Sequence, residues 1–553
     1  MYYNIPLCLP VNVSPGMVFP PRVFRSNSDI ARYAARLVTL AAHHKDKVER
    51  KALPVERATS REKGQPLCMS QYYRLFSSYR VPGLQQDSLI STNPTTEHII
   101  VACSNQLYAV FLRPNSSSER LSEDDLASQF AHILSSPVGR VAPVGILSSQ
   151  RRDHWAESRD ILRRDDRNRQ NLDLIENCML VICLDQKPLP NKFNRKPGPR
   201  GADGHRGEGR DETNMAHQML HGGGSAFNSG NRWFDKTIQL VICPDGVNGL
   251  CYEHSPSEGV AVIQLMEEFL ENCRDLEPST SSIPPSSNAL QPLQWNIPPV
   301  LEKHMRDASQ SIDNLVEDLD FYVYRYNGYG KDFIKSCSVS PDVYIQLALQ
   351  LAYHKLYGRL TATYESASTR RFLLGRVDCI RSATTAALQW VSAMNQSEDT
   401  TGTPDPLHPN KRVTFSIYTD AEKLKLFDEA VKCQTDIMVA NILGQGIDIH
   451  LLGLREQVKE MGLGLELFSD EAYKIANHFA LSTSQVATQS DSFMGYGPVV
   501  PDGYGASYNP KPSQIIFCLS AFHSSEITKA SRFAHSLEES LNAMQLLLLQ
   551  RIK

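Results

Sequence analysis

One histidine in this chain stands where proton transfer needs one. His254 lies in the stretch Gly246-Val247-Asn248-Gly249-Leu250-Cys251-Tyr252-Glu253-His254-Ser255-Pro256-Ser257-Glu258-Gly259. An apolar run at 237–243, read as a strand, precedes that stretch, and a periodic apolar run at 260–270, read as a helix, follows it. A side chain in such a strand-to-helix turn can face a cleft. Imidazole titrates near neutrality, so it can take a proton from a hydroxyl and return it to a leaving group. The chain has 16 histidines, most of which are expected to be surface or structural, so His254 needs company elsewhere in the sequence.

Several stretches could supply it. Tyr329-Gly330-Lys331-Asp332-Phe333-Ile334-Lys335 puts two ammonium groups four residues apart, on one face if the turn is helical. Such a pair suits a phosphate-bearing ligand; the alternative is a solvated charged surface. Tyr364-Glu365-Ser366-Ala367-Ser368 and residues 375–384 are dense in small and polar residues and interrupt helices, as binding loops do. For the second of these, the alternative is a buried turn with Arg376 and Asp378 paired. Ser482-Thr483-Ser484-Gln485 ends a strand, where hydroxyls can donate to an oxyanion. His221-Gly222-Gly223-Gly224 has the look of a lipase oxyanion loop, but that role needs a Gly-x-Ser-x-Gly elbow and none is present. A tight glycine turn is expected there instead.

The elements that must position these residues alternate between strand and helix, which gives an α/β or α+β class. Helices are expected at 29–47 (capped by Ser28 or Asp29), 121–134 (capped by Ser122), 155–164, 171–178, 304–319, 343–358, 384–394, 421–454 and 530–552. Strands are expected at 98–103 and 107–112 as a pair, and at 179–184, 479–486 and 515–521. Residues 497–505 read as a chain of turns, and 278–298 as a linker. Residues 185–214 lose their large apolar residues and read as a disordered insertion, with a basic targeting patch as the alternative.

The 553 residues exceed what one core organises, so two domains are expected. A net charge of -4 gives no footprint for nucleic acid. The 12 cysteines have no CxxC or zinc-like spacing, and free buried thiols in a reducing compartment are expected. No apolar run reaches membrane-span length and no secretory signal is visible, so a cytoplasmic location is expected.

The series PLCMSQYYRLFSSYRVPG, HGGGSAFNSGNRWFDK, YEHSPSEG, YGKDFIK, TYESASTRRF, GRVDCIRSAT, LSTSQV and GPVVPDGYGASYNP, in this order, strongly resembles the choline/carnitine acyltransferase family. The resemblance implies two similar α/β domains of the chloramphenicol-acetyltransferase type, with a tunnel between them. It implies an N-terminal segment at 1–75 packing mainly with the C-terminal domain, a catalytic-histidine domain at 76–298, and a CoA- and choline-binding domain at 299–553. His254 matches the family's catalytic histidine, and Glu258 the acidic residue that supports it. Lys331 and Lys335 match the lysines that hold the 3′-phosphate of coenzyme A. Ser484 matches the hydroxyl that stabilises the oxyanion. Tyr364 and Tyr496 match aromatic positions near a trimethylammonium group, consistent with cation–π attraction.

The co-substrate implied is acetyl-CoA, with no tightly bound cofactor and no metal, and the enzyme implied is a monomer. Carnitine-using members carry arginine where this chain has Ile449, and threonine where it has Val377. Choline-using members carry a neutral amide at the first of these. Choline is therefore the acceptor implied, with carnitine or another short-chain acyl transfer as the alternative. Family members also begin with a helical stretch before the segment matching Met1, so a truncated form that binds coenzyme A without turnover is a further alternative.

Overall fold

A computed structural model of the chain describes residues 7–59, 63–92, 96–114, 119–136, 139, 141–196, 209–279, 281–395, 404–405, 408–412 and 418–551. Its strands are β1 (Gly16–Val18), β2 (Ser78–Val81), β3 (Ser88–Ser91), β4 (His98–Cys103), β5 (Gln106–Phe111), β6 (Val181–Leu184), β7 (Ile238–Ile242), β8 (Asn248–Tyr252), β9 (Leu290–Pro292), β10 (Leu319–Tyr326), β11 (Thr363–Ser368), β12 (Val377–Ile380), β13 (Pro404–Asp405), β14 (His408–Arg412), β15 (Leu481–Gln485), β16 (Phe493–Gly495), β17 (Tyr504–Pro510) and β18 (Ile515–Phe522). Its helices are α1 (Asn27–Glu49), α2 (Glu123–Ser135), α3 (Arg152–Arg163), α4 (Asp166–Asn177), α5 (Glu212–Leu220), α6 (Gly259–Asn272), α7 (Pro299–Asp318), α8 (Lys331–Ser336), α9 (Pro341–Tyr357), α10 (Thr385–Asn395), α11 (Asp420–Ile442), α12 (Asp448–Glu460), α13 (Glu466–Ser469), α14 (Glu471–Asn477) and α15 (Ala530–Leu549). The class is α/β, with two sheet-containing units. One comprises 1–195, 205–321 and 488–497, and the other 196–204, 322–487 and 498–553.

The first unit carries an eight-stranded sheet of order β16-β1-β8-β7-β6-β4-β5-β9. Its centre, β4, β6 and β7, is parallel and entirely buried, so these strands are near-continuous apolar runs rather than alternating ones. The second unit carries a six-stranded sheet, β10-β18-β17-β15-β11-β12. One face of it, with Leu481, Tyr504, Ala506, Tyr508, Phe517 and Leu519, packs against α9 and α15 in a single core. Local signals set the helix ends. Ser122 and Asp125 form a reciprocal capping box at α2. Pro341 opens α9, and Gly358, at φ +67°, closes it.

Several expectations change. The cap of α1 is Ser26 rather than Ser28 or Asp29. Residues 246–259 are not all turn, because β8 lies inside them and pairs with β7. The expected helix at 421–454 is two helices, broken where Gly444 takes φ +77°. The expected linker at 278–298 contains β9, which pairs with β5 at the sheet edge. The boundary between the units falls instead inside β10, after Phe321. Residues 7–59 and 63–75 fall in the first unit. There α1 packs against α2 and α6, because its buried face of Ile30, Tyr33, Leu37 and Ala41 needs an apolar cover. Of the expected insertion, 197–208 lies outside the described residues. Its flanks are ordered, with Asp185 and Phe193 buried and Asp211 capping α5. Residues 504–510, of which 504–505 fall within the expected chain of turns, form β17. All twelve cysteines are free thiols. Among the described residues no helix is long and apolar enough to cross a membrane.

Candidate active site

In the first unit, His254 follows β8 by two residues and Glu258 is the N-cap of α6. Glu258 Oε2 lies 3.0 Å from His254 Nε2. A carboxylate on one ring nitrogen fixes the proton there and leaves the other nitrogen as the basic one. The Tyr252 ring stands 5.8 Å from the imidazole. The loop is anchored from behind. Glu253, buried, accepts from Ser255 Oγ at 2.5 Å and from Arg80 Nη1 at 2.9 Å. Arg80 Nε also donates to Asp87 Oδ2 at 2.7 Å, which takes Arg152 Nε at 2.7 Å as well. Arg152 pairs in turn with Asp235 at 2.6 Å. Burial pushes the Asp235 carboxyl up, while Arg152 and Trp155 oppose it.

Tyr496 enters this unit from far along the chain. β16 pairs with β1, and β1 with β8, with Gly16 opposite both Gly495 and Cys251. Two antiparallel steps make β8 and β16 parallel. His254, three residues beyond Cys251, and Tyr496, one beyond Gly495, therefore leave the same end of the sheet. Tyr252 Oη reaches Met494 Sδ at 3.6 Å across the same gap.

His221-Gly222-Gly223-Gly224 is the expected glycine turn. The three glycines have φ of +75°, +89° and +100°, and a Cβ on Gly222 would come within 2.8 Å of the Asn228 carbonyl carbon. His221 Nδ1 accepts from Gly223 N at 3.0 Å, so its Nε2 donates to His217 Nδ1 at 2.9 Å. Burial drives the His221 pKa well below its ordinary value, so the ring is neutral and fully engaged.

In the second unit, strand register puts three of the candidate residues on one sheet face. Tyr364 pairs with Ser482, and Ser484 lies two residues on, opposite Ser507. Val377 pairs with Ser368, which alternates with Tyr364 through Ser366. This face is rich in small hydroxyl residues and more exposed than its reverse, where Thr363, Glu365 and Ala367 are buried. Tyr364 meets Phe479 edge-on at 5.6 Å, and the Arg381 guanidinium lies 5.2 Å over Phe479. Arg381 is held by Asp448, with Nε to Oδ2 at 3.0 Å and Nη2 to Oδ1 at 2.5 Å. Asp378 accepts from the backbone N of Ile449 at 3.2 Å, and Ile449, in the first turn of α12, is 49% exposed. Lys331 and Lys335 lie on the single six-residue helix α8, Lys331 half-buried and Lys335 exposed. The backbone N of Lys331 donates to Lys511 O at 2.8 Å, which docks α8 on the turn between β17 and β18.

Sequence reasoning missed Arg80, Glu253 and the Arg381–Asp448 pair. The one local signal was a charged residue placed inside or beside an apolar strand, as with Glu253 after Tyr252.

The model of the family described as Choline/Carnitine o-acyltransferase matches residues 1–539. The chain is 53% identical to the choline O-acetyltransferase of Drosophila melanogaster, over 99% of this chain and 78% of that one. It is 42% identical to the choline O-acetyltransferase of Homo sapiens, over 99% and 69%, and 39% identical to the carnitine O-acetyltransferase of Rattus norvegicus, over 97% and 80%. With nearly the whole length of the chain matched in this way, it belongs to the choline/carnitine O-acyltransferase family and is an acyltransferase.

Proposed function

We propose that this acyltransferase moves the acetyl group of acetyl-CoA to choline, giving acetylcholine and coenzyme A. The choline hydroxyl is far too weak an acid to ionise at neutral pH, so it needs a base as it attacks the thioester carbonyl. His254, oriented by Glu258, takes the hydroxyl proton while the new C–O bond forms. The Ser484 hydroxyl donates to the tetrahedral oxygen. The C–S bond then breaks, and the departing sulfur takes the proton back from the imidazolium. Lys331 and Lys335 hold the 3′-phosphate of coenzyme A. Tyr364 and Tyr496 face the trimethylammonium group with their ring quadrupoles, and Val377 adds an apolar contact. A cytoplasmic monomer fits this proposal, and twelve free thiols suit a reducing compartment.

The observation that carries the choice of acceptor is the treatment of positive charge around Tyr364. Carnitine brings a carboxylate, which calls for a fixed cation. This chain has apolar Ile449 and Val377 at the positions that distinguish the family's carnitine users, and Arg381 is already held by Asp448. An unpaired carboxylate there loses about 1.5–3 kcal/mol, or about ten- to a hundredfold in kcat/KM. The test is release of free coenzyme A from acetyl-CoA with each acceptor in turn. Choline is expected to be faster by at least that factor, and Ile449→Arg with Val377→Thr to narrow the gap. Comparable rates on choline and carnitine in the unmodified protein refute the choice of choline.

A further inference from the structure

Two amides stand in an otherwise aliphatic and aromatic stretch of α9. Residues 343–353 are all buried, and Gln346 and Gln350 among them are 0% exposed. A buried amide is costly unless its hydrogens are bonded. Both side chains point at the sheet face opposite the one that carries Tyr364 and Ser484. Gln346 Nε2 donates to Thr483 Oγ1 at 2.9 Å and to Tyr508 Oη at 3.0 Å. Gln350 Nε2 donates to Thr363 Oγ1 at 3.0 Å. Each threonine is 1% exposed and immediately precedes a candidate site residue, Ser484 in one case and Tyr364 in the other.

The hydrogens settle the orientation of Gln346. Thr483 gives its hydroxyl hydrogen to the Tyr364 carbonyl at 2.8 Å, and Tyr508 gives its own to Asp342 Oδ1. Both hydroxyls therefore offer Gln346 only lone pairs, which the NH₂ end of the amide alone can meet. The other end, Oε1, lies 3.3 Å from Ser382 Oγ. One side chain of α9 thus joins β15, β17 and the segment after β12, and through Thr483 it reaches β11. β11 and β15 are parallel neighbours, with Tyr364 opposite Ser482. The bond from Thr483 to Tyr364 ties them again at the step between Ser482 and Ser484. Successive side chains of a strand leave opposite faces, so holding Thr483 from behind sets the direction in which Ser484 leaves in front.

We propose that Gln346 is a positioning residue for the Ser484 hydroxyl. It touches no reacting atom and acts through Thr483. The inference rests on Ser484 being the oxyanion donor. Loss of one such donor costs about 10²–10³ in kcat. A hydroxyl displaced by a fraction of an ångström loses part of that, and about ten- to thirtyfold is expected.

The experiment is a double-mutant cycle in kcat for acetyl transfer to choline, with both substrates saturating. Gln346→Met keeps the length of the side chain and removes both donors. It is expected to lower kcat about ten- to thirtyfold, while KM for acetyl-CoA stays within about twofold. In the Ser484→Ala background the same change is expected to cost less than about threefold, because no hydroxyl is left to place. Gln350→Met is the comparison, with the same replacement one turn along the same buried face. Any loss it causes is expected to be equal in the two backgrounds. If Gln346→Met does not fold, as judged by circular dichroism, Thr483→Val enters the cycle in its place, since it deletes the hydroxyl that Gln346 holds and leaves α9 intact. A folded Gln346→Met protein with the parent's kcat overturns the proposal. Equal losses from Gln346→Met in the two backgrounds, or a coupling just as large from Gln350→Met, overturn it too, because either marks the general integrity of the core. Ser484→Ala by itself separates the two ideas. A full rate from Ser484→Ala brings down the oxyanion reading and the positioning with it. A large loss from Ser484→Ala without coupling to Gln346 brings down the positioning alone.

Discussion

Arg80 offers the sharpest test of how the histidine loop is held. The perturbation is Arg80→Met, which keeps much of the side-chain volume and deletes the guanidinium. Arg80 is 1% exposed and sits between Asp87 and Glu253. Asp87 keeps Arg152 and the backbone N of Gly83 after the change. Glu253 keeps only Ser255, so the loss concentrates on a buried carboxylate left with no cation among the described residues. Breaking one side of a buried pair costs about 3–5 kcal/mol. Glu253→Gln removes the stranded charge, so Arg80→Met with Glu253→Gln is expected to cost less than the sum of the two single changes, by at least about 1 kcal/mol. The assay is urea unfolding followed by tryptophan fluorescence. Trp155, Trp233 and Trp295 all lie in the first unit, and only Trp390 in the second, so the signal reports mainly the unit at issue. Below the unfolding transition, acetyl transfer by Arg80→Met is expected to fall in kcat, because Glu253 adjoins His254 and a displacement of about 1 Å can cost on the order of a hundredfold. A cost below about 1 kcal/mol, or strict additivity in the double variant, refutes the reasoning.

Three further outcomes follow from the same geometry. His254→Ala should lower acetyl transfer by about 10²–10⁴-fold, while coenzyme A binding measured by calorimetry persists; retention of more than a few per cent of the rate rules it out as the base. Lys331→Ala with Lys335→Ala should raise KM for acetyl-CoA at nearly constant kcat, and dephospho-CoA should show a smaller penalty in this variant than in the parent; equal penalties place the lysines away from the 3′-phosphate. Glu365 carries a folded-state pKa raised by burial and by Asp342. The stability it contributes is therefore fully present below the unfolded value of about 4.3, and is lost as the pH rises from there through the folded value, at up to about 1.4 kcal/mol per pH unit. Glu365→Gln has no proton to lose, so its advantage over the parent in urea unfolding should grow with pH above about 4.3; parallel pH profiles contradict the placement of the proton.

What the sequence determined by itself is local. His254 and Glu258 stand four residues apart across a helix start, and Lys331 and Lys335 four apart on one short helix, so their pairing needed only chain geometry. The same holds for the Ser122 cap, for the Pro341 and Gly358 ends of α9, and for the apolar runs that became β4, β6 and β7. Tertiary structure decided whatever depends on partners distant in the chain. β16 has three residues and β1 three, too few to carry a pattern, yet their pairing brings Tyr496 to the sheet that carries His254. Arg80 meets Glu253 across 173 residues. The 421–454 stretch is periodic enough for one helix, but Gly444 breaks it, and the new helix start carries Ile449 to Asp378 and Asp448 to Arg381. Glu365 looked like part of a polar loop and is instead a buried acid behind a sheet, because strand alternation turns it away from Tyr364 toward α9. Which face a strand residue takes, and which distant charge meets it there, is fixed by register. Register is set when the sheets assemble and bury their apolar faces, and a short strand does not encode its partner.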